Sequence, residues 1–170
     1  PHALFREVNV AGTRTMLAAA KAARASTFVA AGAAAVVMGR PKPMRDVTED
    51  AMLQRPSWAP YIATKAEADE MVRQANTAAF RTIVVRPPLI WGEGMPMLDA
   101  MVETAKAGHF ALPDGGGQVI STSHVDNVVS CLLLAAEKGR GGQAYHVSDG
   151  HAGTLQQVIA DLLGTRGIPP

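Results

Sequence analysis

A tyrosine and a lysine four residues apart have the spacing in this sequence that most directly suggests chemistry. Tyr61 and Lys65 bound the segment YIATK. On a helix, positions i and i+4 lie on one face, so the phenol and the ammonium can sit side by side. A neighbouring ammonium favours the phenolate and lowers the phenol pKa from about 10 toward neutrality. An acid/base group for alcohol–carbonyl interconversion requires this, although an isolated pair of this kind is also typical of solvated helix surfaces.

The elements that must position this pair alternate between helices and strands. Apolar residues at helical spacing predict helices over residues 3–25, 61–74, 98–107, 125–137 and 154–163. Short apolar runs predict strands at 28–31, 81–87, 119–120 and 144–147. Strands joined by crossover helices of about a dozen residues indicate a parallel sheet with helices on both faces. The sequence therefore predicts an α/β fold.

Composition excludes several classes of protein. The 170 residues allow one domain or little more, and 48% hydrophobic against 18% charged residues excludes a disordered chain. The 16 basic and 15 acidic residues are spread evenly, so we expect neither a nucleic acid nor a membrane as partner. The single cysteine, Cys131, fits a reducing compartment, and we expect a cytoplasmic protein. The five histidines lack metal-ligand spacing, so no metal is expected.

Five sequence blocks together resemble the extended short-chain dehydrogenase/reductases, the NAD-dependent epimerase/dehydratase superfamily. They are residues 9–13 (NVAGT), 28–39, 61–65 (YIATK), 85–92 (VRPPLIWG) and 123–129 (SHVDNVV). The last block is most similar to the 3β-hydroxysteroid dehydrogenase and sterol dehydrogenase branch. The resemblance implies the second half of a Rossmann-type parallel sheet with flanking helices, together with part of a small substrate lobe.

The resemblance also implies a division of the chain. Residues 1–92 and 119–150 would form the C-terminal half of the nucleotide-binding domain, and residues 93–118 and 151–170 a partial substrate-binding lobe. The family's Gly-x-x-Gly-x-x-Gly loop is absent from this sequence, as is the acidic residue that reads the adenosine ribose. We therefore expect a chain truncated at both ends, preceded by at least one βαβ unit of ~30 residues. The expected cofactor is NAD or NADP, without a choice between them.

Catalytic roles follow from the resemblance for three residues. Tyr61 would be the general acid/base, and Lys65 would lower its pKa and hold the hydroxyls of the nicotinamide ribose. Asn9 would order the active-site helix and a proton-relay water. A simple hydrogen bond between two helices is an equally good interpretation of Asn9.

Further residues would contact the cofactor and the substrate. Beside Tyr61 and Lys65, the cofactor-binding residues are expected to be Pro87, Pro88, Leu89 and Ile90. Trp91 and Met95 would begin the wall of the substrate site, although Trp91 is also a good candidate for a core aromatic residue.

The family's catalytic serine or threonine is replaced in this sequence. Counting back from Gly39, its position falls at Ala34, which would still face the substrate. An alanine cannot donate a hydrogen bond to the substrate oxygen, and losing one such donor costs on the order of 10²–10³ in rate in an oxyanion site.

The function expected from the resemblance is an NAD(P)-dependent dehydrogenase or reductase. It would transfer a hydride between the nicotinamide and a small-molecule secondary alcohol or ketone, with an apolar, steroid-like substrate. One alternative is a nucleotide-sugar epimerase or dehydratase. Another, favoured by Ala34 and the absent glycine loop, is a non-catalytic nucleotide-binding or interaction module. Members of the family often dimerise through the helices that carry Asn9 and Tyr61, so we also expect a homodimer.

Overall fold

The first helix contains an irregular turn that the sequence pattern did not predict. The computed structural model describes residues 2–38 and 44–168. Helix α1 covers residues 2–22 in three successive stretches: α-helical His2–Phe5, π-helical Arg6–Ala11 and α-helical Gly12–Ala22. The amide of Gly12 donates to the carbonyl of Glu7, five residues back, which is the hydrogen bond of a π-helix. Helix α1 therefore holds one more residue in this turn than a regular α-helix.

The remaining elements follow the predicted alternation closely. The strands are β1 (Thr27–Ala31), β2 (Arg81–Arg86), β3 (Leu89–Trp91), β4 (Val119–His124), β5 (Ala144–His146) and β6 (Ala152–Thr154). The helices are α2 (Pro60–Gln74), α3 (Pro96–Lys106), α4 (Val125–Lys138) and α5 (Leu155–Gly164). Strands β3 and β6 were not predicted, and β4 extends four residues beyond its predicted end. In the described ranges, no helix has both the length and the apolar character to cross a bilayer.

The first sheet is parallel and carries helices on both faces. Its strand order is β1-β2-β5. Because successive side chains of a strand point to opposite faces, Ile83 and Val85 of β2 pack against Ala135 of α4. Val84 between them packs against Val72 of α2 on the other face. This arrangement confirms the predicted α/β class and places α2 on the sheet.

A second, smaller sheet has its own hydrophobic core. Its order is β3-β4-β6, with β3 parallel and β6 antiparallel to β4. Helices α3 and α5 pack together beside it, and α5 begins with a reciprocal capping box between Thr154 and Gln157. The buried members of this core are Met95, Leu98, Met101, Val102, Ile159, Leu162 and Leu163.

A buried ion pair connects α2 to the first sheet. The guanidinium of Arg86 donates to both carboxylate oxygens of Asp69, at 2.7 and 2.9 Å, and to the backbone carbonyl of Glu49 at 3.0 Å. Neither charged side chain of the pair is exposed to solvent. Because α2 carries the Tyr61–Lys65 segment, this pair fixes the position of that segment over β2.

Candidate active site

The first two turns of α2 bring the tyrosine and the lysine to the end of the first sheet. Pro60 occupies the first turn of α2, where its missing N–H costs little. The Nζ of Lys65 donates to the carbonyl of Ala31, the last residue of β1, at 3.4 Å. The ring of Tyr61 meets the ring of Phe5 on α1 edge-on, with centroids 6.0 Å apart. The start of α2 is therefore held between α1 and the carboxyl end of β1.

The pKa of the Tyr61 phenol shifts in the direction opposite to the one expected from the neighbouring Lys65 ammonium. Burial raises the pKa of Tyr61 and lowers the pKa of Lys65. Both groups lose hydration, and desolvation disfavours the charged form of each. In the described structure no hydrogen bond joins the two side chains, since Lys65 reaches Ala31. The expectation that the ammonium lowers the phenol pKa is therefore wrong, because the shift is caused by burial and goes upward.

Asn9 forms a hydrogen bond between two helices. It lies in the π-helical turn of α1, and its Nδ2 donates to the Oγ1 of Thr64 on α2 at 3.0 Å. Thr64 is buried, and its hydroxyl donates back to the carbonyl of Pro60 at 2.7 Å. Asn9 thus supports the turn that carries Tyr61, as the helix-to-helix interpretation expected. A role for Asn9 in proton relay stays a prediction.

A cavity of about 240 Å³ lies where α1 and α2 meet the carboxyl end of β1. Its polar and small lining residues include Asn9, Thr13, Ala31, Gly32, Lys65 and Asp69. In open α/β sheets, ligands bind outside the carboxyl ends of the strands. Lys65 contributes an ammonium with three donors to this cavity, and the described residues give that ammonium one hydrogen bond.

The segment after β1 runs alongside the end of β2 and forms backbone hydrogen bonds with it. The amide of Gly32 donates to Val85 at 2.7 Å, and the amide of Ala34 donates to Pro87 at 2.8 Å. A Cβ atom at Gly32 would lie 2.7 Å from a methyl carbon of Val84, so the close approach of the two strands requires glycine here. Ala34 is half-buried and its side chain offers no donor. Gly39, where the predicted block ends, lies outside the described residues.

The Val85–Gly92 block leads from the first sheet into the second. Pro87 is buried, Pro88 and Leu89 are half-buried, and the side chains of Ile90 and Trp91 are 40% and 36% exposed.

Met95 belongs to the core of the second sheet's helices. Only 9% of it is exposed, and it packs in the same cluster as Leu98 and Met101. The structure gives Met95 a packing role, and its contact with a substrate stays a prediction.

Asp149, which the sequence pattern did not mark as a site residue, accepts hydrogen bonds from three elements. The carboxylate of Asp149 accepts from Trp91 Nε1 at 2.7 Å, Thr122 Oγ1 at 3.0 Å, the His124 amide at 2.7 Å and Asn127 Nδ2 at 2.7 Å. Burial opposes ionisation of Asp149, but these four hydrogen bonds lower its pKa to about 2. Its partners lie 22 to 58 positions away along the chain, so no local pattern marks it.

The fold and the placement of the five sequence blocks define a Rossmann-type protein of the extended short-chain dehydrogenase/reductase class. A family model described as the 3-beta hydroxysteroid dehydrogenase/isomerase family matches residues 2–156. The chain therefore belongs to that family, as the branch-specific block predicted.

The curated relatives of this chain include proteins named as reductases. It is 41% identical over 165 residues to the 4-hydroxy-2-methyl-3-oxo-4-farnesyl-3,4-dihydroquinoline-1-oxide ketoreductase of Stigmatella aurantiaca, covering 96% of this chain and 49% of the relative. It is 30% identical over 172 residues to the 2-alkyl-3-oxoalkanoate reductase of Stenotrophomonas maltophilia, covering 97% of this chain and 52% of the relative. The chain thus spans about half the length of the curated relatives it matches.

Solved structures agree on the fold. A dTDP-glucose 4,6-dehydratase from Streptomyces venezuelae, solved with NAD bound, superposes with a TM-score of 0.79 at 26% identity. The superposition covers 98% of this chain and 52% of that one. The UDP-glucose 4-epimerase of Thermus thermophilus gives a TM-score of 0.77 at 19% identity, with 96% and 56% of the two chains covered.

Proposed function

We propose that the protein is an NAD(P)-dependent oxidoreductase that interconverts an apolar ketone and its secondary alcohol. The observation that carries the proposal is the placement of Lys65 in the cavity at the carboxyl end of β1, with Tyr61 one helical turn before it. The two reductases among the relatives support this choice of reaction.

The residues around the cavity fit a nicotinamide cofactor. Lys65 has donors to offer the ribose hydroxyls, and Tyr61 lies on the same side of α2. The other residues proposed beside the nicotinamide are Pro87, Pro88, Leu89 and Ile90. When bound, the nicotinamide supplies a hydride to the carbonyl carbon or accepts one from the alcohol carbon. The structural relatives solved with NAD or NADPH support this cofactor class.

Tyr61 transfers the proton in this proposal. In the reductive direction its hydroxyl gives a proton to the carbonyl oxygen as the carbon receives the hydride, leaving a phenolate. In the oxidative direction the phenolate takes that proton back. Burial raises the pKa of Tyr61, so the phenol carries the proton at neutral pH and is in the form that can donate it. Lys65 offers its donors to the ribose hydroxyls of the cofactor, and Asn9 keeps the first turn of α2 in place through Thr64.

The substrate class rests on the relatives and on the exposed apolar side chains. The names of the two reductases describe ketones that carry a farnesyl or an alkyl chain. Trp91 offers exposed apolar surface, and we assign it with Met95 to the wall of the substrate site. Ala34 would contact the substrate but has no side-chain hydrogen-bond donor. Tyr61 would therefore be the residue that donates a hydrogen bond to the carbonyl oxygen of the substrate.

The division of the chain is part of the same proposal. Residues 1–92 and 119–150 belong to the nucleotide-binding domain, supported by the β1-β2-β5 sheet. Residues 93–118 and 151–170 belong to the substrate lobe, supported by the joint core of α3 and α5.

We also propose a cytoplasmic homodimer. The single thiol supports the compartment, and exposed apolar residues on α1, such as Leu4, Val8 and Met16, support the dimer.

The Tyr61→Phe variant of the intact protein tests the reaction. We expect ketone reduction to fall at least about 10²-fold, because the proton donor is lost. The affinity for NADH and NADPH, read by nicotinamide fluorescence, should stay nearly unchanged. Tyr145→Phe is the matched control, since Tyr145 is the second of the two tyrosines and accepts a hydrogen bond from the amide of Arg140.

Three results would count against the proposal. Undiminished turnover by Tyr61→Phe would remove the proton donor from the mechanism. Conversion of a nucleotide sugar, with no ketone reduced, would favour an epimerase or dehydratase. Cofactor binding without any turnover would favour a non-catalytic module.

A further inference from the structure

The chain crosses from the first sheet to the second at Asp149. After β5 the amide of Asp149 donates to the carbonyl of Thr122 on β4 at 2.9 Å. The carboxylate then accepts from the end of β3, from β4 and from the first turn of α4. One side chain thus connects β3, β4 and α4 by hydrogen bonds.

Four hydrogen-bond donors occupy both oxygens of the Asp149 carboxylate. Oδ2 accepts from the indole of Trp91 and the hydroxyl of Thr122, and Oδ1 accepts from the His124 amide and the Asn127 amide group. A carboxylate has about four lone-pair sites on its two oxygens. An asparagine side chain would turn an NH₂ group toward two of these donors, so its amide cannot replace the carboxylate.

The indole of Trp91 has two directed contacts and is partly exposed. Its single polar atom, Nε1, binds Asp149 at 2.7 Å. Its ring meets the ring of His124 edge-on, with centroids 4.7 Å apart. The side chain is nevertheless 36% exposed, so a fixed apolar surface faces outward. A flat aromatic surface in one orientation is what an apolar ligand requires of a binding wall.

We propose that Asp149 is a positioning residue that sets the orientation of the Trp91 indole and thereby the affinity for apolar substrates. The proposal rests on the proposed function, because it takes Trp91 as part of the substrate wall. All four hydrogen-bond partners of the Asp149 carboxylate in the described structure are protein groups. Its effect on the reaction passes through Trp91.

The test compares Asp149→Asn with wild type in the intact protein. The KM for an alkyl or prenyl ketone should rise about tenfold, because a hydrogen bond to a charged group is lost, while kcat changes less. In protein labelled with 5-fluorotryptophan, the ¹⁹F resonance that disappears in Trp91→Phe should shift in Asp149→Asn. In the Trp91→Phe background, Asp149→Asn should change KM less than twofold, since the residue through which it acts is gone.

The matched control is Asp99→Asn on α3, because the Asp99 carboxylate is 72% exposed and its ion-pair partner in the described structure is Arg166 at 3.1 Å rather than Trp91 or His124. It should leave both KM and the Trp91 resonance unchanged. If Asp149→Asn does not yield folded protein, Trp91→Phe alone must raise KM about tenfold, and an unchanged KM overturns the proposal.

Other outcomes separate this proposal from the proposed function. A Trp91 resonance that stays in place in Asp149→Asn overturns the positioning role even in an active reductase. Additive effects of the two substitutions on KM overturn it too. A protein that reduces no ketone, but whose resonance shifts, refutes the proposed function and with it the role toward substrate.

Discussion

Replacing Asp69 by alanine should lower the free energy of unfolding by about 3–5 kcal/mol, because it leaves a buried guanidinium without its counter-ion. Arg86 and Asp69 have side chains with no exposed surface. Two hydrogen bonds, at 2.7 and 2.9 Å, join them. The variant would keep one contact of Arg86, its hydrogen bond to the carbonyl of Glu49 at 3.0 Å.

The magnitude follows from the contacts that are lost. A hydrogen bond to a charged group contributes about 1.5–3 kcal/mol, and the two bonds of one pair are not additive. The larger contribution is the cost of a charge left unpaired in a medium of low polarity. Asp69 also binds Arg73 at 2.9 Å, but the Arg73 side chain is 32% exposed, so that pair is worth no more than about 1 kcal/mol.

Urea unfolding of the intact protein, followed by circular dichroism, measures the effect. The double variant Asp69→Leu with Arg86→Met should regain most of the lost stability, since an apolar pair of similar volume leaves no buried charge. Arg73→Ala is the matched control and should cost less than about 1 kcal/mol.

Two results would refute this reasoning. One is a loss of less than about 1 kcal/mol in Asp69→Ala, which would mean that water or another group replaces the carboxylate. The other is a double variant as unstable as the sum of the single variants, which would mean that packing rather than charge dominates the site.

Two further predictions concern acid stability and assembly. The pKa of Asp149 is lowered from 3.8 to about 2, so its stabilising effect is complete above pH 3.8 and is lost as the pH falls through about 2. The wild type should therefore lose more unfolding free energy over this interval than Asp149→Asn, and equal losses would contradict the assignment. Light scattering of the intact protein should show a dimer that Val8→Lys on α1 dissociates and that Leu134→Lys, on the exposed face of α4, leaves intact. A monomeric wild type would contradict the dimer.

The regular elements could be predicted from the sequence because their patterns are local. The apolar runs of β1 and β2 and the helix after Pro60 all lie within a few residues of their predicted bounds. Strand β6 has the sequence AGT, which contains no apolar run, and β3 is a three-residue strand directly after two prolines, where the sequence predicts an end to the preceding strand. Their strand conformation depends on pairing with β4, which sequence spacing does not reveal.

The helix that carries the candidate site was predictable from the sequence, but the contacts around it were not. The YIATK spacing correctly placed Tyr61 and Lys65 on one helix. It did not show that burial would raise the phenol pKa, because that depends on how α1 covers α2. Asp149 was missed since its partners come from distant positions and an isolated aspartate before a glycine is typical of a turn.

The π-helical turn of α1 shifts the phase of the helix. Each residue turns an α-helix by about 100°, so the extra residue rotates the stretch before Arg6 relative to the stretch after Ala11. Deleting one residue within this turn would restore regular helix and would cost little in backbone hydrogen bonds. It would also rotate the residues before the deletion by about a quarter of a turn relative to those after it. The length of this segment, more than its composition, therefore keeps α1 in register with the helix that carries Tyr61.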